Sequence, residues 1–281
     1  MTDPGDYEIR KTEEPAPDVE AAPPTNGGVW IAAVVVVVLA AIAAYVLYPR
    51  RAAPAPAPAS VATHAPPSAP TRALGGEPEP VTVPPLDDSD PVVRDLVRAL
   101  STHPQVLAWL TTKGLIRNFA VVVANIGDGV TPANHLAPLR PKGAFEVVQR
   151  NGQTEIDPRS YDRYNQLADA VASVDPAGAS RLYATLKPRL QEAYAELGVR
   201  PASFDAALEH AIVVLLQVPI VDGPVRVEPK GIGYRFADPK LEDLSGAQKQ
   251  LLRMGPRNVR SIQSSLRRIA VALGIPRERL P

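Results

Sequence analysis

VWIAAVVVVVLAAIAAYVLY, residues Val29 to Tyr48, carries no charged and no strongly polar side chain. In a helix rising about 1.5 Å per residue, such a run spans about 30 Å, the thickness of a bilayer's hydrocarbon core. A helix apolar on every face needs lipid or a very large protein core to bury it. The stretch is therefore expected to be a transmembrane helix, with Trp30, Tyr45 and Tyr48 at the two headgroup levels. A cleavable signal peptide would have a basic start and an apolar core of roughly 7 to 15 residues. Here the apolar core is longer, and the residues before it hold two basic groups, Arg10 and Lys11, against seven acidic ones. The reading is an uncleaved signal anchor preceded by an acidic, disordered tail over 1–28.

On the other side of the span, Pro49 to Pro85 holds eleven prolines in 37 residues, few charges and almost no large apolar group. Such a segment has too little to bury to form a core. In polyproline II, at about 3.1 Å per residue, it reaches on the order of 100 Å as a semi-rigid spacer. Arg10 with Lys11 balances Arg50 with Arg51, so the positive-inside rule ties. A spacer of that reach suits a domain held away from an inner membrane, and the C-terminal part is expected in the periplasm.

The chain has no cysteine, which excludes disulfide staples, thiolate zinc sites and cysteine nucleophiles. Thirty basic residues balance thirty acidic ones, so no global electrostatic partner is implied. From Lys240 to the end, however, nine basic residues face three acidic ones.

Residues 86–281 are enough for one ordinary core. Asp90-Pro91, Asp157-Pro158, Asp175-Pro176 and Asp238-Pro239 each read as a helix start, with Asp as cap and Pro at the first position. Apolar residues at helical spacing follow: Val93, Leu96, Val97 and Leu100, then Tyr164, Leu167, Ala168 and Val171, then Leu182, Leu186, Leu190 and Leu197. Pro188 is expected to kink the helix it interrupts. Gln105 to Ile126 reads as two short helices joined near Lys113-Gly114, and Ser203 to Gln217 as the most buried helix. Phe145–Gln149 and Gln153–Ile156 flank Arg150-Asn151-Gly152, a strong hairpin signal. Val225–Val227 and Ile232–Phe236 suggest a second hairpin, and the two could pair into one sheet. Ser245 and Gln248 are spaced as a capping box, and Pro256 to Leu273 is a last helix ended by Gly274.

PPLDDSDPVVRDLV, SYDRYNQLADAVASVD, LQEAYAELG and above all YRFADPKLEDLSGAQKQLLRMGPRNVRSIQ resemble a proteobacterial family of membrane-anchored proteins described as domain of unknown function 3014. The resemblance runs from about Pro84 to Leu273, and Leu241 to Asn258 is its most specific part. It implies a short tail, one span, a variable Pro/Ala linker and a helical C-terminal domain, but no activity. Where the family pattern carries an acidic residue, this chain has Ala124.

Motifs for chemistry are sparse. His64, His103, His135 and His210 show no metal-ligand spacing, and His210 reads as a core histidine. Neither Gly-x-Ser-x-Gly nor Ser-x-x-Lys occurs, and Gly231-Ile232-Gly233 is too short for a phosphate loop. Glu192, Glu196, Glu209 and Glu242 leave an acid/base pair open, since that chemistry needs only two carboxylates. No catalytic residue, metal or cofactor is assigned. The most distinctive constellation is Arg253-Met254-Gly255-Pro256-Arg257-Asn258 with Arg260, where Gly255 ends one helix and Pro256 begins the next. Arg253, Arg257, Asn258 and Arg260 are the candidate binding residues, a guanidinium-rich corner able to take carboxylate or phosphate. The bland alternative is that these arginines pair with Glu242, Asp243 or core carbonyls.

The expectation is a mostly α chain: tail 1–28, transmembrane helix 29–48, Pro/Ala linker 49–85, and a helical domain 86–281 with one or two small hairpins. The expected role is a non-catalytic binding or scaffolding module of the cell envelope. Its partners are the membrane, through 29–48, and an envelope protein or other anionic partner. Nucleic acid is not expected, because basic groups interleaved with aromatics are missing. The alternatives are a carboxylate-based envelope enzyme acting on cell-wall glycan and a lipid-headgroup-binding module using the basic last helix.

Overall fold

The computed structural model describes residues 73–198 and 203–281. The tail 1–28, the apolar run 29–48 and the linker up to residue 72 lie outside them, as does His64. None of the described helices is long and apolar enough to cross a membrane. Ten α-helices and two antiparallel hairpins make up the described residues.

Helix α1 (Asp90–Leu100) follows a 3-10 turn at Leu86–Asp88. Because that turn already leads the chain into the helix, Asp90 is not needed as the cap of its own helix, and Ser89 occupies that position. The Asp90 carboxylate reaches instead to helix α3 (Leu115–Gly127), accepting the amides of Gly114 at 2.9 Å and Leu115 at 2.8 Å, and Arg94 at 3.1 Å. It thus satisfies unpaired amides at the start of a different helix. Between them lies α2 (Pro104–Trp109), capped by the His103 ring and holding no fully buried residue. Gly114 is left-handed, φ 62°, and makes the turn into α3.

The first hairpin pairs β1 (Val147–Arg150) with β2 (Gln153–Ile156) across Asn151-Gly152, both left-handed. Two left-handed turn residues match the twist of the flanking strands and draw Arg150 into the ladder. After α4 (Arg159–Asp162), α5 (Asn165–Ala172), α6 (Pro176–Glu196) and α7 (Phe204–Leu216), the second hairpin pairs β3 (Val227–Lys230) with β4 (Gly233–Phe236). Its turn falls on Gly231-Ile232, later than expected, which leaves Ile232 fully exposed. The hairpins stay separate sheets, joined by one bridge between Glu155 and Arg226. Helix α6 runs unbroken through Pro188. Short α8 (Pro239–Glu242), α9 (Gly246–Leu252) with its capping box, and α10 (Pro256–Ala272) complete the domain.

Two cores result. In the first, α1, α3, α6, α7 and the end of α10 surround Phe204, which is wholly buried. Phe119 and Tyr194 meet its ring edge-on and Tyr183 stacks on it. In the second, Ile156, Val225, Val227 and Phe236 of the hairpin region pack on Leu251 and Leu252 of α9 and on Val259 and Ile262 of α10. Leu266 touches both, so α10 joins them.

The end of the segment assigned to the linker is part of the domain. From residue 73 the chain lies as a strap on α6 and α7: the amide of Leu74 donates to Asp205 (3.1 Å), Gly75 to the Leu273 carbonyl (3.0 Å), Gly76 to the Ser180 carbonyl (3.2 Å) and Glu79 to the Thr185 hydroxyl (2.8 Å). Proline content kept this segment from reading as packed, yet buried Leu74, four backbone amides and the side chains of Lys187 and Arg189, which donate to the Leu74 and Val83 carbonyls, seat it.

Candidate functional site

The basic corner is built as expected at its hinge but not at its surface. Gly255 has φ 83° and ψ 162°, a conformation reserved for glycine, and turns the chain sharply from α9 into α10. Arg253 is half-buried with its guanidinium 4.9 Å above the Phe236 ring and 3.5 Å from the Tyr234 carbonyl. Burial pulls its pKa below the usual arginine value. Asn258 is buried, and its amide donates to the carbonyls of Tyr161 (3.0 Å) and Met254 (2.8 Å). Arg257 is exposed and 3.6 Å from Asp169 of α5, whereas Arg260 pairs with Asp222, which the loop after α7 supplies. The four residues are thus near in sequence but drawn to different partners. Two lock the hinge and two are paired at the surface, so no shared guanidinium cluster forms. Of the other arginines of α10, Arg267 bonds the Pro281 carbonyl and Arg268 that of Ala172.

The four carboxylates considered for acid/base work each meet a cation. Glu192 accepts from Arg189 (2.6 Å), Glu196 from Arg117 (2.6 Å), Glu209 from Arg279 (2.7 Å) and Glu242 lies 3.3 Å from Lys249. The Arg117 guanidinium holds Glu196 below the carboxylate range. Burial pushes Glu242 up, but the Phe236 amide and Lys249 outweigh it and leave it low. A general acid needs the opposite shift. His210 is exposed, not in the core: α7 turns its ring outward to the Gly127 carbonyl, 3.2 Å away.

What the sequence did not indicate is a cavity inside the first core, about 470 Å³ in volume. Helices α3 and α6 form its long walls. On α6 the lining residues are Ala179, Leu182, Tyr183, Leu186 and Leu190, and on α3 they run from Leu115 to Ile126. Each stripe covers eleven helical steps, about 16 Å. α1, α7 and α10 contribute further aliphatic side chains, and among the described residues no charged one lines the space. Ser101 and Gln105 are polar lining residues, and both belong to the α1–α2 edge. Tyr183 turns its hydroxyl away, donating it to Asp205. Burial pushes the Tyr183 pKa up, with Asp205 adding to it, so the hydroxyl keeps its proton.

The thinnest wall is α2. Its Val106 and Trp109, with Leu136, Leu139 and Leu167 opposite, line the cavity while remaining partly exposed. Two side-chain bonds hold this helix to its surroundings: Gln105 to Gln166 (3.1 Å) and the Trp109 indole to Asn118 (3.2 Å). Apolar stripes reveal which faces turn inward, not whether the facing side chains meet. A short helix with Val and Trp but no room for a buried face was the one available signal.

Fold and site together define a helical domain with two minor hairpins enclosing an apolar chamber. Residues 115–270 match the family model described as "Protein of unknown function (DUF3014)". The chain belongs to this family. The match opens on α3 and closes near the end of α10, so the strap, α1 and α2 lie ahead of it. Comparison with curated proteins and with solved structures gives no match.

Proposed function

We propose that this chain is a single-pass inner-membrane protein whose periplasmic helical domain is a non-catalytic module that binds an apolar ligand in the chamber between α3 and α6. The observation that carries the reading is the chamber's size together with its uncharged lining. Lining atoms that face empty space lose their packing partners, and the loss grows with the volume left unfilled. Water gains little there, because apart from Ser101 and Gln105 at one edge the lining offers it few hydrogen-bond partners. An apolar ligand returns the missing contacts, and the volume falls within the roughly 300 to 1,000 Å³ of ligand pockets.

The tether supports the setting. The uncharged run 29–48 is long enough to cross a bilayer, and the proline-rich segment after it separates span from strap. The paired arginines at the α9–α10 hinge favour the chamber over the basic corner as the binding site.

The test uses the full-length chain in its own membrane. Adamantyl diazirine, a compact apolar photoprobe, should label lining residues such as Leu100 and Trp109, and a C-terminal alkaline phosphatase fusion should be active in intact cells. Labelling confined to 29–48 would remove the binding role, and an expressed but inactive fusion would place the domain on the other side.

A further inference from the structure

We infer that the ligand is a single hydrocarbon chain, the acyl tail of a lipid or fatty acid, lying lengthwise between α3 and α6 with its polar head at the α1–α2 edge. This rests on the chamber being the binding site. Its shape argues for a chain: about 470 Å³ spread along stripes about 16 Å long gives a mean cross-section of about 30 Å². One alkyl chain lying lengthwise fits within that section, with room for bends along its length. The volume is about three times that of a cavity that just accepts benzene, so a short apolar fragment would leave most of it empty.

The polarity argues for where the head lies. A carboxylate or phosphate inside would meet no cation, since among the described residues no Lys, Arg or His lines the space. Ser101 and Gln105 sit together at one edge, where the wall is also the half-exposed α2. Gln105 is engaged there by a single side-chain bond, to Gln166. Swinging α2 aside breaks that bond and the one between Trp109 and Asn118, without exposing any fully buried side chain of α2 itself. The C-terminal end of α2 stays anchored, since Leu110 is buried and Arg94 donates to its carbonyl at 2.9 Å, so the movement that admits a tail is at the Gln105 end.

The experiment feeds cells expressing the full-length chain a palmitic acid analogue bearing a diazirine and an alkyne, irradiates them, and maps the adducts. The expected result is labelling along the stripes, at Leu182, Leu186 and Phe119, falling about tenfold or more when Ala170→Phe places a ring in the chamber. Val174→Trp, at the half-exposed rim, should give a similar loss with less demand on the core. Adduct masses identify the source: free fatty acid, phospholipid or an acylated peptide, each of which supports a chain as ligand. If adamantyl diazirine labels the chamber and the acyl probe does not, the chain is the wrong ligand class while the apolar site stands. If neither labels it, both readings fall. Undiminished acyl labelling in well-folded Ala170→Phe and Val174→Trp also overturns the assignment.

Discussion

Lys187 and Asp205 meet at 2.6 Å beneath the strap, and the carboxylate oxygen they share also accepts the Leu74 amide at 3.1 Å. The other oxygen takes the Tyr183 hydroxyl, and Lys187 bonds the Leu74 carbonyl at 3.2 Å. One buried acid therefore ties three parts of the domain together: α6, α7 and the segment leading back toward the linker. Asp205→Ala leaves Lys187 and Tyr183 without their partner and should cost about 3 kcal/mol in denaturant unfolding. Hydrogen exchange at Leu74 to Glu79 should rise more than exchange in α9, which the cluster does not touch.

The same acid sets an acid limit on stability. Burial pushes its carboxyl up, but the bonds from Lys187, Tyr183 and the Leu74 amide outweigh burial and hold it below the ordinary carboxylate range. A folded value below the unfolded one, about 3.9, gives stability that is present above the unfolded value and lost as pH falls through the folded one. Between about pH 5 and pH 2 the wild type should lose more stability than Asp205→Asn, which has no carboxylate to protonate. Equal slopes of unfolding free energy against pH would contradict this.

Gly255 is the hinge the corner depends on. A Cβ there would overlap Cγ and Cβ of Tyr161, atoms at the root of the side chain that cannot swing away, and the backbone has φ 83°. Gly255→Ala should cost about 3 kcal/mol or more, combining strain with overlap. Gly178→Ala is the milder contrast: its Cβ meets Cδ1 of Leu100 at 2.5 Å, the far end of a side chain that borders the chamber, and Oδ2 of Asp175 at 3.0 Å, the oxygen that caps α6 through the Gly178 amide. Leu100 has space to yield but the cap must shift, so this variant should cost about 1 to 2 kcal/mol, less than Gly255→Ala. Chemical denaturation of both variants decides the contrast.

Asn258 holds the hinge by two donated bonds, to the carbonyls of Tyr161 and Met254. Its Oδ1 is buried with no hydrogen-bond partner among the described residues, so the side chain serves the hinge through its donors. Asn258→Ala should cost about 2 kcal/mol. Asn258→Asp removes both donors and sets a negative charge against two carbonyls, so it should cost more at neutral pH. That excess should shrink on acidification, because the neutral acid donates again, and urea unfolding at neutral pH and near pH 4 would show it.

Local grammar was legible in the sequence wherever a backbone constraint stands behind it. Asn151-Gly152 made its hairpin, Ser245 and Gln248 their capping box, and Gly114 the break between α2 and α3. Asp90 shows the limit: its type announced a helix start, but the start it caps is α3, twenty-four residues on in the chain, a partner only the fold supplies. The arginines of the corner fail as a cluster for the same reason, since Asp169 and Asp222 come from elsewhere in the chain. The chamber left little trace beyond the short α2, because α6 presents the same apolar stripe whether or not its neighbours fill the space.

Two buried alanines separate a chamber from a merely apolar core. Ala170 is 3% exposed and lines the space, while Ala120 is 0% exposed, belongs to the first core and is not among the lining residues. In the chain stripped of lipid, Ala170→Leu should fill part of the void. Added methylenes are worth about 0.8 kcal/mol each, less about 0.5 to 1 kcal/mol of side-chain entropy, so the gain should be about 1 to 2 kcal/mol. That corresponds to a rise in Tm of about 3 to 6 °C for a domain of this size. Ala120→Leu has no room and should cost about 1 to 3 kcal/mol. With lipid present the order should narrow, because Ala170→Leu then competes with the ligand for the same volume and forfeits its binding energy. Thermal melts of both variants, with and without lipid, read the outcome, and a loss of stability in lipid-free Ala170→Leu equal to that of Ala120→Leu would mean that the wall at Ala170 is already filled by protein.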